Sequence, residues 1–94
     1  MRELDKRIVD LFKALSCETR YRIVKLLAEG SYTTLDMSKI LNKTPTTISK
    51  HLRILKNLDI IWFVSKGKYV FYSIKRQEVF KIIEEVEDFL SRDQ

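Results

Sequence analysis

Thr44-Pro-Thr-Thr-Ile-Ser-Lys-His-Leu-Arg-Ile-Leu55 decides how the rest of this 94-residue chain is read. Thr44 offers a side-chain oxygen suited to capping a helix start, and Pro45 suits the first helical position, where no backbone N–H is needed. Ile48, Leu52 and Leu55 recur at spacings of four and three, which puts them on one buried stripe. The opposite face carries Thr46, Lys50 and Arg53, flanked by Thr47 and Ser49. Short hydroxyls and long cations suit a helix lying in a major groove. The hydroxyls of Thr44, Thr46, Thr47 and Ser49 can bond phosphates or base edges at close range. Cations such as Lys50 and Arg53 reach phosphates and guanine edges. An ordinary solvated face mixes charge signs, yet no carboxylate stands between Leu41 and Leu58.

Working upstream, Thr33-Thr-Leu-Asp36 has the spacing of a capping box, with Asp where Glu or Gln is usual. It opens a short helix ending at Leu41, with Leu35, Ile40 and Leu41 expected inward, and Asn42-Lys43 forms the turn that follows. A short helix, a tight turn and a helix with the face just described make a helix-turn-helix unit. Further upstream, Leu4, Ile8, Leu11, Phe12 and Leu15 form a stripe that predicts a first amphipathic helix over Glu3 to Leu15. Ser16-Cys-Glu18 breaks it, and Thr19 to Glu29 reads as a second helix with Ile23, Val24 and Leu27 inward and Gly30 as its stop. Ser31-Tyr32 has room for an edge strand at most.

Downstream, Ile60-Ile-Trp-Phe-Val64 and Tyr69-Val-Phe-Tyr-Ser-Ile74 are β-branched and aromatic runs separated by Ser65-Lys-Gly-Lys68, the pattern of a β-hairpin. Its tip carries Lys66 and Lys68 around Gly67 and can approach a phosphate backbone closely. A hairpin directly after such a helix is a wing. Trp62 and the tyrosines could stack bases, but they alternate along the strands, so packing within the hairpin is the expectation. Residues Arg76 to Arg92 place Val79, Phe80, Ile83, Val86 and Leu90 on one face of a closing helix. The predicted fold is mainly α with a β-hairpin wing (α+β). It is a winged helix-turn-helix occupying residues 1–94 as a single domain, with a short edge strand between the second and third helices.

Charge and size bound the partners. The net charge is +5, and from Lys39 to Lys68 there are seven Lys/Arg and one acid, Asp59. From Lys75 to Gln94 there are four Lys/Arg against six acids. A basic middle and an acidic tail predict a polyanion, double-stranded DNA, met by one face only. A membrane surface would instead favour a basic amphipathic terminus. No apolar run approaches spanning length, and Met1-Arg-Glu-Leu-Asp-Lys-Arg7 is too charged for a signal peptide, so a cytoplasmic, DNA-associated chain is expected. A domain of this size has little core left to cover the closing helix. Val79, Phe80, Ile83, Val86 and Leu90, with Leu4, Ile8 and Leu11 at the other end, are therefore the candidate dimerisation residues.

Three segments in order resemble the ArsR/SmtB family of winged-helix repressors. Leu15-Ser-Cys-Glu-Thr-Arg-Tyr-Arg-Ile23 is similar to the family's L-A-D-P-T-R-L-R-I segment. Thr46-Thr-Ile-Ser-Lys-His-Leu-Arg-Ile-Leu55 resembles its recognition helix, and Lys66-Gly-Lys-Tyr-Val-Phe-Tyr-Ser73 its wing. The resemblance implies a homodimer joined by the first and last helices, which represses transcription by binding an operator. The family's thiolate metal site uses a Cys-x-Cys-Asp segment, but Thr33, Leu35 and Asp36 stand at the matching positions here. Its other common site needs His on the last helix, and the chain's one histidine is His51. No metal and no cofactor are therefore expected. The chain looks like the metal-blind members, among them small winged-helix proteins of archaea and their viruses. Its Lys/Glu/Ile-rich composition fits a thermophile or an AT-rich genome.

The sharper residues have bland readings too. His51 lies at the edge of the buried stripe, where packing, a local hydrogen bond or a phosphate contact is expected rather than metal binding. Cys17 is the sole cysteine, just before the second helix. It reads as an inert, partly buried thiol, or as a redox-responsive one that bridges two subunits if the copies come within disulfide range. Nothing supports catalysis: there is no nucleophile–base pairing and no glycine-rich phosphate loop, with only two glycines in all. Glu84, Glu85, Glu87 and Asp88 spread around the last helix as a solvated face. The competing functional class is a winged helix that docks a protein instead of DNA. Such a module would carry apolar or acidic residues where Thr46, Lys50 and Arg53 stand.

Overall fold

Thr33 and Thr44 start the two helices of the helix-turn-helix, and both do so through their hydroxyls. In a computed structural model, which describes residues 1–92, the elements are α1 (Glu3–Leu15), α2 (Glu18–Leu27), α3 (Thr34–Leu41), α4 (Pro45–Asn57), β1 (Ile61–Lys66), β2 (Tyr69–Ile74) and α5 (Glu78–Ser91). Thr33 Oγ1 accepts the Asp36 amide at 3.1 Å while the Asp36 carboxylate accepts the Thr33 amide at 3.1 Å. The capping box therefore closes with Asp in place of Glu. Asn42 ends α3 with φ 56°, a left-handed conformation that Asn tolerates better than most residues. Thr44 then caps α4 by accepting the Thr47 amide at 3.1 Å, with Pro45 in the first turn.

One core holds these elements together. It joins Ile23, Val24 and Leu27 of α2, Met37 and Leu41 of α3, and Ile48, Leu52 and Leu55 of α4. Ile60, Ile61 and Ile74 at the foot of the hairpin and Val79 and Ile83 of α5 complete it. Each such side chain contributes about 1.5–3 kcal/mol by leaving water, and the core contains no buried polar side chain among the described residues.

β1 and β2 pair antiparallel from Ile61↔Ile74 to Lys66↔Tyr69, so only Gly67 and Lys68 form the turn. Gly67 has φ 60° and Lys68 does not adopt positive φ. That combination is a type II′ turn, whose twist matches the strands and whose first position wants glycine. Tyr32 exchanges both backbone hydrogen bonds with Tyr72, at 3.1 and 2.8 Å. The edge strand expected at Ser31-Tyr32 is thus a single bridge on the outer edge of β2.

Four expectations need correction. The second helix runs Glu18–Leu27, starting one residue and ending two residues earlier than expected, and its end precedes Gly30. In α3, Leu35 is 59% exposed and Ile40 is exposed, while Met37 is fully buried. α4 selects the Met37/Leu41 side, and Leu35 lies about 200° round the helix from Met37. Trp62 is 51% exposed rather than packed in the hairpin. Ile61 and Phe63 turn toward the helices, with Phe63 stacked near Tyr72 and under Lys56 of α4, so Trp62 faces away from them on a two-stranded sheet with no second layer. In α5, Val79 and Ile83 are only 5% and 8% exposed because they complete the protomer's own core, which removes them from the surface open to a partner.

Candidate nucleic-acid interface

α4 presents Thr46, Ser49, Lys50 and Arg53 on its exposed face, opposite the buried Ile48, Leu52 and Leu55. Its first turn contains no acid, so the positive end of the helix dipole adds to the side-chain charge there. Among the described residues, neither Lys50 nor Arg53 makes an ion pair. The Thr44 and Thr47 hydroxyls are 2.9 Å apart and bonded to each other, and Thr47 is half-buried. These two belong first to the helix cap, and Thr46 and Ser49 are the freer hydroxyls.

Lys66 and Lys68 flank Gly67 at the hairpin tip, with the Lys68 ammonium 5.5 Å above the Tyr69 ring. The one acid of the basic stretch, Asp59, sits at the opposite end of the hairpin with φ 64°. It accepts hydrogen bonds from Lys75 and, at 3.5 Å, Arg76. Hydrogen bonding from Lys75 holds its carboxyl below the usual carboxylate range. Its charge is thereby countered by residues outside the basic stretch.

His51 makes a hydrogen bond, but not the local one expected of it: the partner is Arg20, 31 residues away in the chain. The Arg20 Nη1 group lies 3.2 Å from His51 Nδ1. A guanidinium can only donate, so Nδ1 is the acceptor and the neutral ring carries its proton on Nε2. Partial burial, followed by the charges of Arg20 and Lys43, lowers the His51 pKa below that of a free imidazole. Arg20 Nε also donates to the Ala14 carbonyl at 2.9 Å, and Nη2 reaches the Lys13 carbonyl at 3.5 Å. The sequence named Arg20 only within a motif. An arginine in a helix's first turn gives no sign of which carbonyls lie within reach.

Elsewhere, Cys17 occupies the N-cap position of α2 as a half-buried free thiol without a capping hydrogen bond. α1 leaves Leu4, Ile8 and Phe12 exposed and Leu11 half-buried, and α5 leaves Val86, Phe89 and Leu90 exposed. Phe80 is half-buried against the core. Phe89, at 71% exposure the most open aromatic, was missed because it lies just off the stripe that Val79 and Ile83 define. An open cleft between α1, the end of α4 and the start of α5 is lined by Leu4, Ile8, Leu11, Leu58 and Ile82. Glu87 pairs with Lys25 of α2 at 3.8 Å, so part of the acidic face of α5 is tied to the body. Among the described residues, no three His, Cys, Asp or Glu side chains converge as a metal site, and no helix is long and apolar enough to cross a membrane.

Residues 17–62, from the cap of α2 into β1, match the family described as bacterial regulatory protein, arsR family. The chain is 38% identical over 78 residues to a cadmium resistance transcriptional regulatory protein CadC homolog of Staphylococcus aureus, an alignment covering 82% of this chain and 64% of that protein. It is also 38% identical over 65 residues to the transcriptional repressor SdpR of Bacillus subtilis, covering 69% of this chain and 72% of the repressor. Its fold superposes with a TM-score of 0.84 on a homodimeric winged helix-turn-helix DNA-binding domain from Mycobacterium bovis, at 23% identity, covering 97% of this chain and 87% of that one. With the helix-turn-helix, the hairpin wing and these sequence matches in agreement, the chain belongs to the ArsR family, a family of transcriptional regulators and not of enzymes.

Proposed function

We propose that this chain is a sequence-specific repressor that binds double-stranded DNA as a homodimer, on a near-palindromic operator, without sensing a metal. The observation that carries the reading is the α4 face: Thr46, Ser49, Lys50 and Arg53 are exposed together with no carboxylate among them. Base edges in a major groove are read by such side chains, and Lys66 and Lys68 extend the same positive surface to the wing, where phosphates lie. Thr44 would contribute by fixing the helix start, and Thr47, which accepts from the Thr44 hydroxyl, by donating its own O–H to a phosphate. In this reading residues 1–94 act as one domain in the cytoplasm, with α1 and α5 as its dimerisation elements.

The homodimer is supported by apolar side chains that the protomer leaves uncovered at both ends, Leu4, Ile8 and Phe12 in α1 and Val86, Phe89 and Leu90 in α5. The M. bovis domain of similar fold is described as homodimeric, and SdpR as a repressor. The name of the S. aureus relative refers to cadmium resistance. This chain has Thr33, Leu35 and Asp36 where a thiolate site would need cysteines, and α5 has no histidine, which favours an effector-free or differently triggered regulator.

Titrating binding to random and to operator duplex over a range of salt tests the reading. Replacing Thr46 and Lys50 by Ala should reduce discrimination between them by about 1–3 kcal/mol for each bidentate base pairing removed. Equal discrimination in the variants and the unmodified protein would remove α4 from readout. Failure to bind any duplex at low salt would favour a protein-docking module.

A further inference from the structure

We propose that Arg20 is a positioning residue for operator recognition. By clamping the last turn of α1 to His51 of α4, it fixes the angle between the dimerisation helix and the recognition helix, and hence the half-site separation the protein reads. This rests on the homodimer reading. One guanidinium makes three interactions on two other elements: Nε to Ala14 O at 2.9 Å, Nη2 to Lys13 O at 3.5 Å, and Nη1 to His51 Nδ1 at 3.2 Å. The two carbonyls belong to the last turn of α1, whose C=O groups lack the usual helical partner; Lys13 O also accepts the Ser16 hydroxyl at 2.8 Å, so the short bond to Ala14 O is the firmer grip on α1. A planar cationic fork reaches Ala14 O and His51 together in a fixed geometry that a lysine could not reproduce.

On the other side of the clamp, His51 lies on α4 between Lys50, which faces out, and Leu52, which is buried. The clamp thus grips the flank of α4 next to its exposed face. Leverage makes that grip matter. If the recognition helices of a dimer sit about 34 Å apart, a tilt of about 5° at a radius of about 17 Å moves each helix by about 1.5 Å. Hydrogen bonds to base edges tolerate only a few tenths of an ångström, so such a drift would pull one recognition helix out of register with its half-site.

The test uses the duplex that the unmodified protein selects from a random pool. Versions of it with half-sites moved by one or two base pairs either way are prepared, together with a single half-site. The variants are Arg20→Lys, His51→Leu and His51→Asn, whose amide oxygen keeps an acceptor near the Nδ1 position. We expect the unmodified protein and His51→Asn to prefer the selected spacing. Arg20→Lys and His51→Leu should bind the single half-site and dimerise as before but lose about tenfold in preference for the selected spacing. An unchanged spacing preference in His51→Leu and Arg20→Lys overturns the proposal. An equal loss on half-site and full site also overturns it, by making Arg20 a folding or direct-contact residue. If Arg20→Lys fails to fold, His51→Leu alone decides. If the unmodified protein binds one half-site as a monomer, the dimer reading fails, and the proposal fails with it.

Discussion

Asp59 and Lys75 are joined across the foot of the hairpin, carboxylate to ammonium, with Arg76 on the second oxygen at 3.5 Å. The only acid between Lys39 and Lys68 is in this way turned away from the role of repelling a polyanion. Asn at position 59 would keep the positive φ of 64° and lose both pairs. Asp59→Asn should therefore bind random duplex more tightly at low salt, because Lys75 and Arg76 are released. The gain should vanish at high salt, as measured by anisotropy titration. The pH sign follows from the lowered carboxyl pKa. The stabilisation is fully present above the unfolded value of about 3.8 and is lost as pH falls through the lower folded value, a loss that Asp59→Asn should not show.

His51 gives a second pH signature, of the same sign and in a different window. Its folded pKa lies below the ordinary imidazole value of 6.5, chiefly through burial and then through Arg20 and Lys43. The ring is neutral in both states well above 6.5. As pH falls below that value the unfolded chain takes up the proton first, so the folded state loses stability until its own ring titrates. Thermal unfolding between about pH 7.5 and 5 should show the decline in the unmodified protein and a flatter profile in His51→Asn. Identical profiles would mean that folding does not change the His51 titration.

Two positions on α5, Ile83 and Phe89, should respond differently to an introduced charge. Ile83→Asp places an unpaired carboxylate in the protomer core and should unfold the domain, at a cost of several kcal/mol, on the order of 3–5. Phe89→Asp, on the exposed outer face, should leave the circular dichroism spectrum intact while shifting sedimentation toward monomer and weakening operator binding. Preserved dimerisation in Phe89→Asp together with Phe12→Asp would place the interface elsewhere.

Most of the fold is legible from periodicity and caps. Ile48, Leu52 and Leu55 point inward because helical spacing leaves them no other face, and Thr33, Asp36 and Thr44 carry their hydrogen-bonding roles in their chemistry. What the sequence does not reveal is which of two apolar faces wins when a helix has both. Met37 is buried and Leu35 exposed because α4 lies on one side, and that is a tertiary fact. Val79 and Ile83 look like interface residues until the chain's own core is seen to include them. Within the candidate site, the α4 face and the hairpin tip could be read directly. The Arg20–His51 contact, 31 residues apart in the chain, could not.

Trp62 provides an internal reporter, since it is the only tryptophan. With half its surface open it should be quenched readily by acrylamide in the folded protein, and Trp62→Ala should cost far less stability than Leu55→Ala, for which about 2–5 kcal/mol is expected. A shielded, blue-shifted emission would mean that another copy of the chain covers the outer face of the hairpin.

Lys66 and Lys68 should act on all sequences alike. Replacing both by Ala should weaken operator and random duplex equally and reduce the steepness of the log–log salt dependence by about 0.9 for each phosphate no longer neutralised. An unchanged slope would mean that the hairpin tip does not touch DNA.

The most direct test of sequence-specific recognition by a two-fold dimer is selection of binding sites from a random duplex pool by the unmodified protein. The expected product is a near-palindrome whose half-sites are centred about 34 Å apart, with Lys50→Ala relaxing the preference at matching positions in both halves. Recovery of no enriched sequence, or of a single asymmetric half-site indifferent to Lys50→Ala, would contradict it.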